Sequence, residues 1–276
     1  MIPQDFITEW KNYAPWPQNY QVEQDLIISR VLVDIFSHPF LSENMAFRGG
    51  TALFKLYMSP VRYSEDIDLV QIRSAPIGLA MDILQEKLNP WLGSPKRKQS
   101  EGRVTLTYRI ESEEALPLKL KIEINSREHF SVLGFIKLGF EVKSRWFSGS
   151  TSISTYHLDE LLGTKIRALY QRKKGRDLFD LWMAFTTTKA GPAHAVECFL
   201  KYMEHEGHKV SRAEFEQNLI GKLNDSRFVA DIKPLLTAGA SHDLHKAADY
   251  FMNNIIPLLP GESWQGSEKY SKGLTI

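Results

Sequence analysis

The stretch "FRGGTALFKLYMSPVRYSEDIDLVQI", Phe47 to Ile72, holds two glycines ahead of a short apolar pattern and then two carboxylates two residues apart. From Asp66 to Val70 the residues alternate polar and apolar, so the segment reads as a strand with Ile67 and Leu69 on one face. Side chains at i and i+2 share a face of a strand, so Asp66 and Asp68 point the same way. Like charges this close favour a shared proton or a bound cation. Hard divalent ions such as Mg²⁺, or Mn²⁺, take oxygen ligands, and Mg²⁺ binds through one or two carboxylates plus substrate phosphates. The glycines of "GGT" bring backbone N–H groups close to an anion, and a helix starting there adds its positive end. An anion cradle and a cation site then stand together. The plainer alternative is a pair of solvated acids on an edge strand.

Outward from this stretch, helical periodicity runs from Tyr20 to Ser37 and stops at Pro39. "MAFRGG" reads as a short strand meeting the glycines, and "TALFKLYM" as a short helix closed by Ser59 and Pro60. Residues 76–92 look helical, and "PKRKQSEGR" reads as a basic, exposed connection. "VTLTYRI" and "LKLKIEINS" are two strands, the second with a polar face of Lys119, Lys121, Glu123 and Asn125. Glu123 is a third carboxylate for the metal. Residues 128–156 read as strands and loops. From Leu158 the period is helical, "LDELLGTKIRALYQRKK" placing Leu161, Leu162, Ile166 and Leu169 on one stripe. "GRDLFDLWMAF" starts another helix, and the tail "GESWQGSEKYSKGLTI" is polar and loosely held. The expected class is α+β: a mixed-sheet core over residues 1–156, then a helical half over 157–276 that completes the active-site cleft.

Composition excludes little. The apolar fraction of 43% and charged fraction of 24% suit a soluble globular protein, and a net charge of +1 leaves room for a local basic surface. The lone Cys198 has no partner for a disulfide, which fits a reducing, cytoplasmic setting. No secretory signal is expected at the N-terminus, and no apolar run is long enough to cross a membrane. His205 with His208, and His242 with His245, lack a third ligand at a recognisable spacing, and G-x-S-x-G and P-loop motifs are missing. The basic run Arg172, Lys173, Lys174 and Arg176 suits nucleic-acid phosphates or, equally, a solvated helix end.

"RGGTALFKLY…RYSEDIDLV" resembles the signature of the AbiEii/AbiGii-type nucleotidyltransferase toxins, within the DNA polymerase β-like nucleotidyltransferase superfamily. "LDELLGTKIRALYQRKKGRDLFDLW" resembles the family's helical block. The resemblance implies a metal-dependent enzyme that moves NMP from an NTP substrate to an acceptor, the 3′ end of tRNA in some members, as the toxin of a type IV toxin–antitoxin or abortive-infection system. By the same resemblance Gly49, Gly50 and Thr51 hold the triphosphate, Ser64 touches phosphate, and Asp66 and Asp68 bind the metal. Glu123 falls where the third carboxylate does, although Asp is commoner there, which leaves one metal or two open. Lys165 meets nucleotide phosphate, Asp180 is the late catalytic aspartate, and a cognate antitoxin is an implied partner. The helix-initial Asp177 reads as a cap. The alternatives are a protein hydroxyl as acceptor, a catalytically silent nucleotide- or nucleic-acid-binding module of the same fold, and, least favoured by motif order, a DxD glycosyltransferase.

Overall fold

The computed structural model describes residues 2–237 and 243–266, so His242 and residues 267–276 of the polar tail lie outside the described residues. The chain divides into two units, residues 2–157 with 236 and 237, and residues 158–235 with 243–266.

In the first unit, α1 (Gln4–Trp10) leads to α2 (Asn19–Phe36), whose start carries a capping box between Gln18 and Gln21. Pro39 does stop α2, but it also begins a further helix, α3 (Pro39–Asn44), because its fixed φ and missing N–H suit a first helical position. Then come β1 (Met45–Arg48), α4 (Gly49–Leu56), β2 (Asp66–Gln71) and α5 (Gly78–Leu92). Five strands follow: β3 (Lys96–Ser100), β4 (Arg103–Glu111), β5 (Pro117–Asn125), β6 (Phe135–Lys143) and β7 (Ser148–Tyr156). "KRKQS" is therefore strand β3 and not a connection. It has no apolar residue to show alternation, and its conformation is imposed by pairing along β4, Lys96 opposite Thr107 through Ser100 opposite Arg103.

One mixed sheet holds all seven strands in the order β3-β4-β5-β2-β1-β7-β6. β2 runs antiparallel to β1 and parallel to β5, and β1 runs parallel to β7. The apolar face carries Ile67, Leu69, Val104, Leu106, Ile122 and Ile124, all buried, and α2 and α5 pack against the sheet. The opposite face of β3, β4 and β5 is polar and open to solvent.

The second unit is helical: α6 (Leu158–Gln171), α7 (Gly175–Thr187), α8 (Pro192–His205), α9 (Arg212–Leu223), α10 (Ser226–Ala230) and α11 (Leu244–Asn254). Leu161, Leu162, Ile166 and Leu169 of α6 are all buried, as the stripe requires, and α6 packs against α7 and α8. The class is α+β, a mixed sheet followed by a helical half. No described helix is long and apolar enough to cross a membrane.

Candidate active site

β2 presents Asp66 and Asp68 on one face. Asp68 stands opposite Arg48 of β1 on one side and Glu123 of β5 on the other, and Asp66 stands opposite Lys121. The sheet thus gathers three carboxylates on adjacent strands. Glu123 lies 3.6 Å from Arg103 and Asp66 lies 3.6 Å from Lys121, both half-exposed pairs of the kind that stabilise little. Arg48 reaches Glu128 at 2.9 Å. Burial opposes the Arg48 charge, but Glu128, Tyr156 and Asp68 outweigh it, so the guanidinium is held protonated more firmly than usual.

Of the two glycines that open α4, Gly49 is demanded by its backbone and by what faces it. Gly49 has φ of +83°, and a Cβ there would sit 2.2 Å from the Asp68 Oδ2. A Cβ on Gly50 would sit 2.6 Å from Arg62 Nη2 and 3.3 Å from Ser64 Oγ. The first turn of α4, the end of a helix whose backbone N–H groups have no partner within the helix, therefore abuts the Asp68 carboxylate directly. Thr51 is buried. Its hydroxyl donates to the Asp66 carbonyl at 2.6 Å and lies 2.9 Å from Ser64 Oγ, so this side chain braces the turn against β2.

Arg62 was not legible as a site residue. It is only 4% exposed, its Nη1 donates to the Tyr63 carbonyl, and its guanidinium lies 5.0 Å from the Phe54 ring. Its sole sequence signal is a position two residues ahead of Ser64. Arg62, Ser64 and Thr51 also line a cavity of about 170 Å³ with Trp10, Trp16 and Lys55. There Lys55 Nζ binds Asp25 at 2.6 Å, and the Trp10 and Trp16 indoles donate to the same carboxylate, which anchors the end of α4.

Two features fit a divalent cation. Asp66 Oδ1 is shielded from solvent and accepts no hydrogen bond, with the Lys121 ammonium standing 3.6 Å from it. The donors available beside it are hard carboxylate oxygens, as Mg²⁺ prefers. Among the described residues no group of three or more His, Cys, Asp or Glu is arranged as a metal cage. An ion at Asp66 and Asp68 thus depends on further oxygen ligands from elsewhere, as Mg²⁺ bound together with phosphate does.

The second unit holds its own charge cluster. Lys165 Nζ lies 2.6 Å from Asp180 Oδ2 and 3.3 Å from Asp177 Oδ1, and all three side chains are buried. Arg172 adds a bidentate contact to Asp177 at 2.7 and 2.9 Å. Asp177 is therefore no simple cap: it shares Lys165 with Asp180, and the N-cap position of α7 is Lys174, with no side-chain cap bond. The rest of the basic run is also engaged, Lys173 with Asp225, and Lys174 and Arg176 with Asp231. Cys198 is buried in α8, and burial pushes its thiol up to about 12, which leaves it a packing residue.

With this geometry in view, the relatives are informative. The family described as "Nucleotidyl transferase AbiEii toxin, Type IV TA system" matches residues 30–253. No curated protein matches the chain. Among solved structures, MenT4, a nucleotidyltransferase toxin from Mycobacterium tuberculosis, superposes with a TM-score of 0.57 at 14% identity, over 95% of this chain and 100% of its own. JHP933 from Helicobacter pylori superposes with a TM-score of 0.54 at 15% identity, over 93% of this chain and 97% of its own. At such identities the likeness is one of fold.

Proposed function

The chain belongs to the AbiEii family of nucleotidyltransferase toxins of type IV toxin–antitoxin systems, and from that premise we propose that it moves a nucleoside monophosphate from an NTP to the 3′ end of an RNA, tRNA foremost, in the cytoplasm. The observation that carries this reading is the contact of the Gly49–Gly50 turn with Asp68: an anion cradle and a carboxylate pair share one spot.

In this reading the backbone N–H groups of Gly49, Gly50 and Thr51 hold the triphosphate, with Ser64 and the buried Arg62 beside them. Asp66 and Asp68 hold a divalent cation, and Glu123 is their neighbour across the ladder. Held there, such an ion would supply charge neutralisation for phosphoryl transfer. The 3′ hydroxyl of the acceptor attacks the α-phosphorus, the bond to the bridging oxygen breaks, and pyrophosphate leaves. Glu123 takes the hydroxyl proton. Lys165 and Asp180 enter from the family resemblance alone, as a contact to nucleotide phosphate and as the late catalytic aspartate. An antitoxin partner follows from the family's type IV toxin–antitoxin membership.

The test incubates the protein with each labelled NTP, Mg²⁺ and total RNA. Label is expected on RNA, and Asp66→Asn or Asp68→Asn should each lower the rate by about 10³-fold or more with the fold intact. Full transfer by both variants would remove the proposal, and label on protein alone would replace the acceptor.

A further inference from the structure

The registers of β2, β5, β4 and β3 place a set of cations on the same sheet face as the carboxylates. Reading outward from Asp66, its row holds Lys121 on β5, Thr107 on β4 and Lys96 on β3. The row of Asp68 holds Glu123, Thr105 and Lys98. One row further from Asp68 than Asp66 lies the pair Lys119 and Arg109. On the other side, Arg103 flanks Glu123. On β4 and β5 the buried Val104, Leu106, Tyr108, Leu118, Leu120, Ile122 and Ile124 all point to the opposite face, so the alternation leaves this face of the two strands free of large apolar side chains.

Of these cations, Lys121 and Arg103 are tied to Asp66 and Glu123. Lys96, Lys98, Arg109 and Lys119 are exposed, and none makes an ion pair among the described residues. β3 is also the sheet's outer strand, and every residue of "KRKQS" is exposed. Edge lysines discourage unwanted strand pairing, which would account for one or two of them. It does not account for Arg109 and Lys119, which sit on interior strands. With neighbouring strands about 4.8 Å apart, β3 lies roughly 14 Å from β2, so the cations span the distance of a few nucleotides. A chain whose net charge is +1 gathers here four cations without an ion-pair partner against one such carboxylate, Glu111, which follows Arg109 on the same face of β4. Local charge of this kind outweighs the neutral remainder, which is screened beyond about 8–10 Å.

We propose that the open face of β3, β4 and β5 is a track for the phosphodiester backbone of the acceptor: Lys96, Lys98, Arg109 and Lys119 hold the last phosphates of an RNA strand so that its 3′ hydroxyl arrives at Asp66 and Asp68. This rests on the RNA-acceptor reading and adds the surface that serves it. The contacts are to phosphates, so the track is indifferent to base identity and strongly sensitive to salt.

The experiment compares the full chain with a variant carrying Lys96→Gln, Lys98→Gln, Arg109→Gln and Lys119→Gln, using a single-stranded RNA with a free 3′ hydroxyl as the probe. A charge-keeping variant, Lys96→Arg, Lys98→Arg and Lys119→Arg, controls for shape, and thermal unfolding controls for fold. The glutamine variant should raise the acceptor KM at least tenfold, leave the NTP KM and kcat unchanged, and flatten the slope of log affinity against log salt by about 3. The arginine variant should match the parent. Parent-like acceptor KM and salt slope in the glutamine variant would overturn the track while the parent's labelling of RNA kept the acceptor reading. Failure of the parent itself to label any RNA would overturn both. Loss of binding to an acidic protein partner with RNA transfer intact would reassign the surface and overturn the track.

Discussion

Gly49 shows how tightly single positions are specified. Its φ of +83° is open to glycine and costs other residues about 1–2 kcal/mol, and a methyl group there would lie 2.2 Å from Asp68 Oδ2. Gly49→Ala should lower stability by about that amount in a denaturant titration and cut NMP transfer at least tenfold, since the displaced atom belongs to the proposed cation site. Gly139 of β6 has nothing within 4 Å of a built Cβ, so Gly139→Ala should leave transfer unchanged. An active Gly49→Ala enzyme would mean that the turn and Asp68 need not touch. At this scale the sequence was legible wherever a local rule applied. Period-two alternation put Asp66 and Asp68 on one face, and the register of β5 brought Glu123 beside them. Arg62 was not legible, because the burial of a charge is decided by packing between segments far apart in the chain. Thr51 shows the same limit: the motif marked it, but only the fold reveals its hydroxyl turned inward to the Asp66 carbonyl.

Among the elements, the amphipathic ones were readable and the polar ones were not. α2, α6 and β5 announce themselves by the spacing of apolar residues, whereas β3 has none and is a strand only because β4 pairs with it. The basic run after α6 was left open for a related reason: its sequence does not show that Asp177, Asp225 and Asp231 will meet it. α6 also ends on a cation that its own sequence lacks. Lys222 of α9 is buried and donates to the carbonyls of Leu169 and Tyr170, satisfying part of the helix C-terminus. Burial pushes its amine down to about 8 from 10.5, against the pull of Asp177. The folded state therefore releases this proton first, while the unfolded chain keeps it. Stability tied to Lys222 is lowest below pH 8 and rises between about 8 and 10.5. The unfolding midpoint should climb by a few degrees more across that window than it does in Lys222→Met. Equal slopes in the two proteins would show that the amine titrates normally.

For the whole molecule, the chain divides its candidate chemistry between two units. The carboxylate pair and the glycine turn belong to the first, and Lys165 with Asp180 belongs to the second, whose boundary falls after His157. The sequence announced the change of period at Leu158, but not the return of residues 236 and 237 to the first unit, where Leu236 bridges to Arg62. A bridge of this kind leaves no pattern in the sequence, because it is a backbone contact between segments more than a hundred residues apart. The family match spans both sets of residues, and kinetics can ask whether they serve one reaction. Groups that act as a unit give losses that do not add. Asp66→Asn and Lys165→Met should each abolish most NMP transfer, and the double variant should be no slower than the worse single one. Lys165→Met leaves two buried carboxylates short of a cation, a change that can cost 3–5 kcal/mol, so Lys165→Arg serves as the folded companion. The same variants should relieve growth arrest when the chain is expressed without an antitoxin. Strict multiplication of the two losses, or arrest that persists in Asp66→Asn, would mean that the second cluster maintains the helical unit and that toxicity has another source.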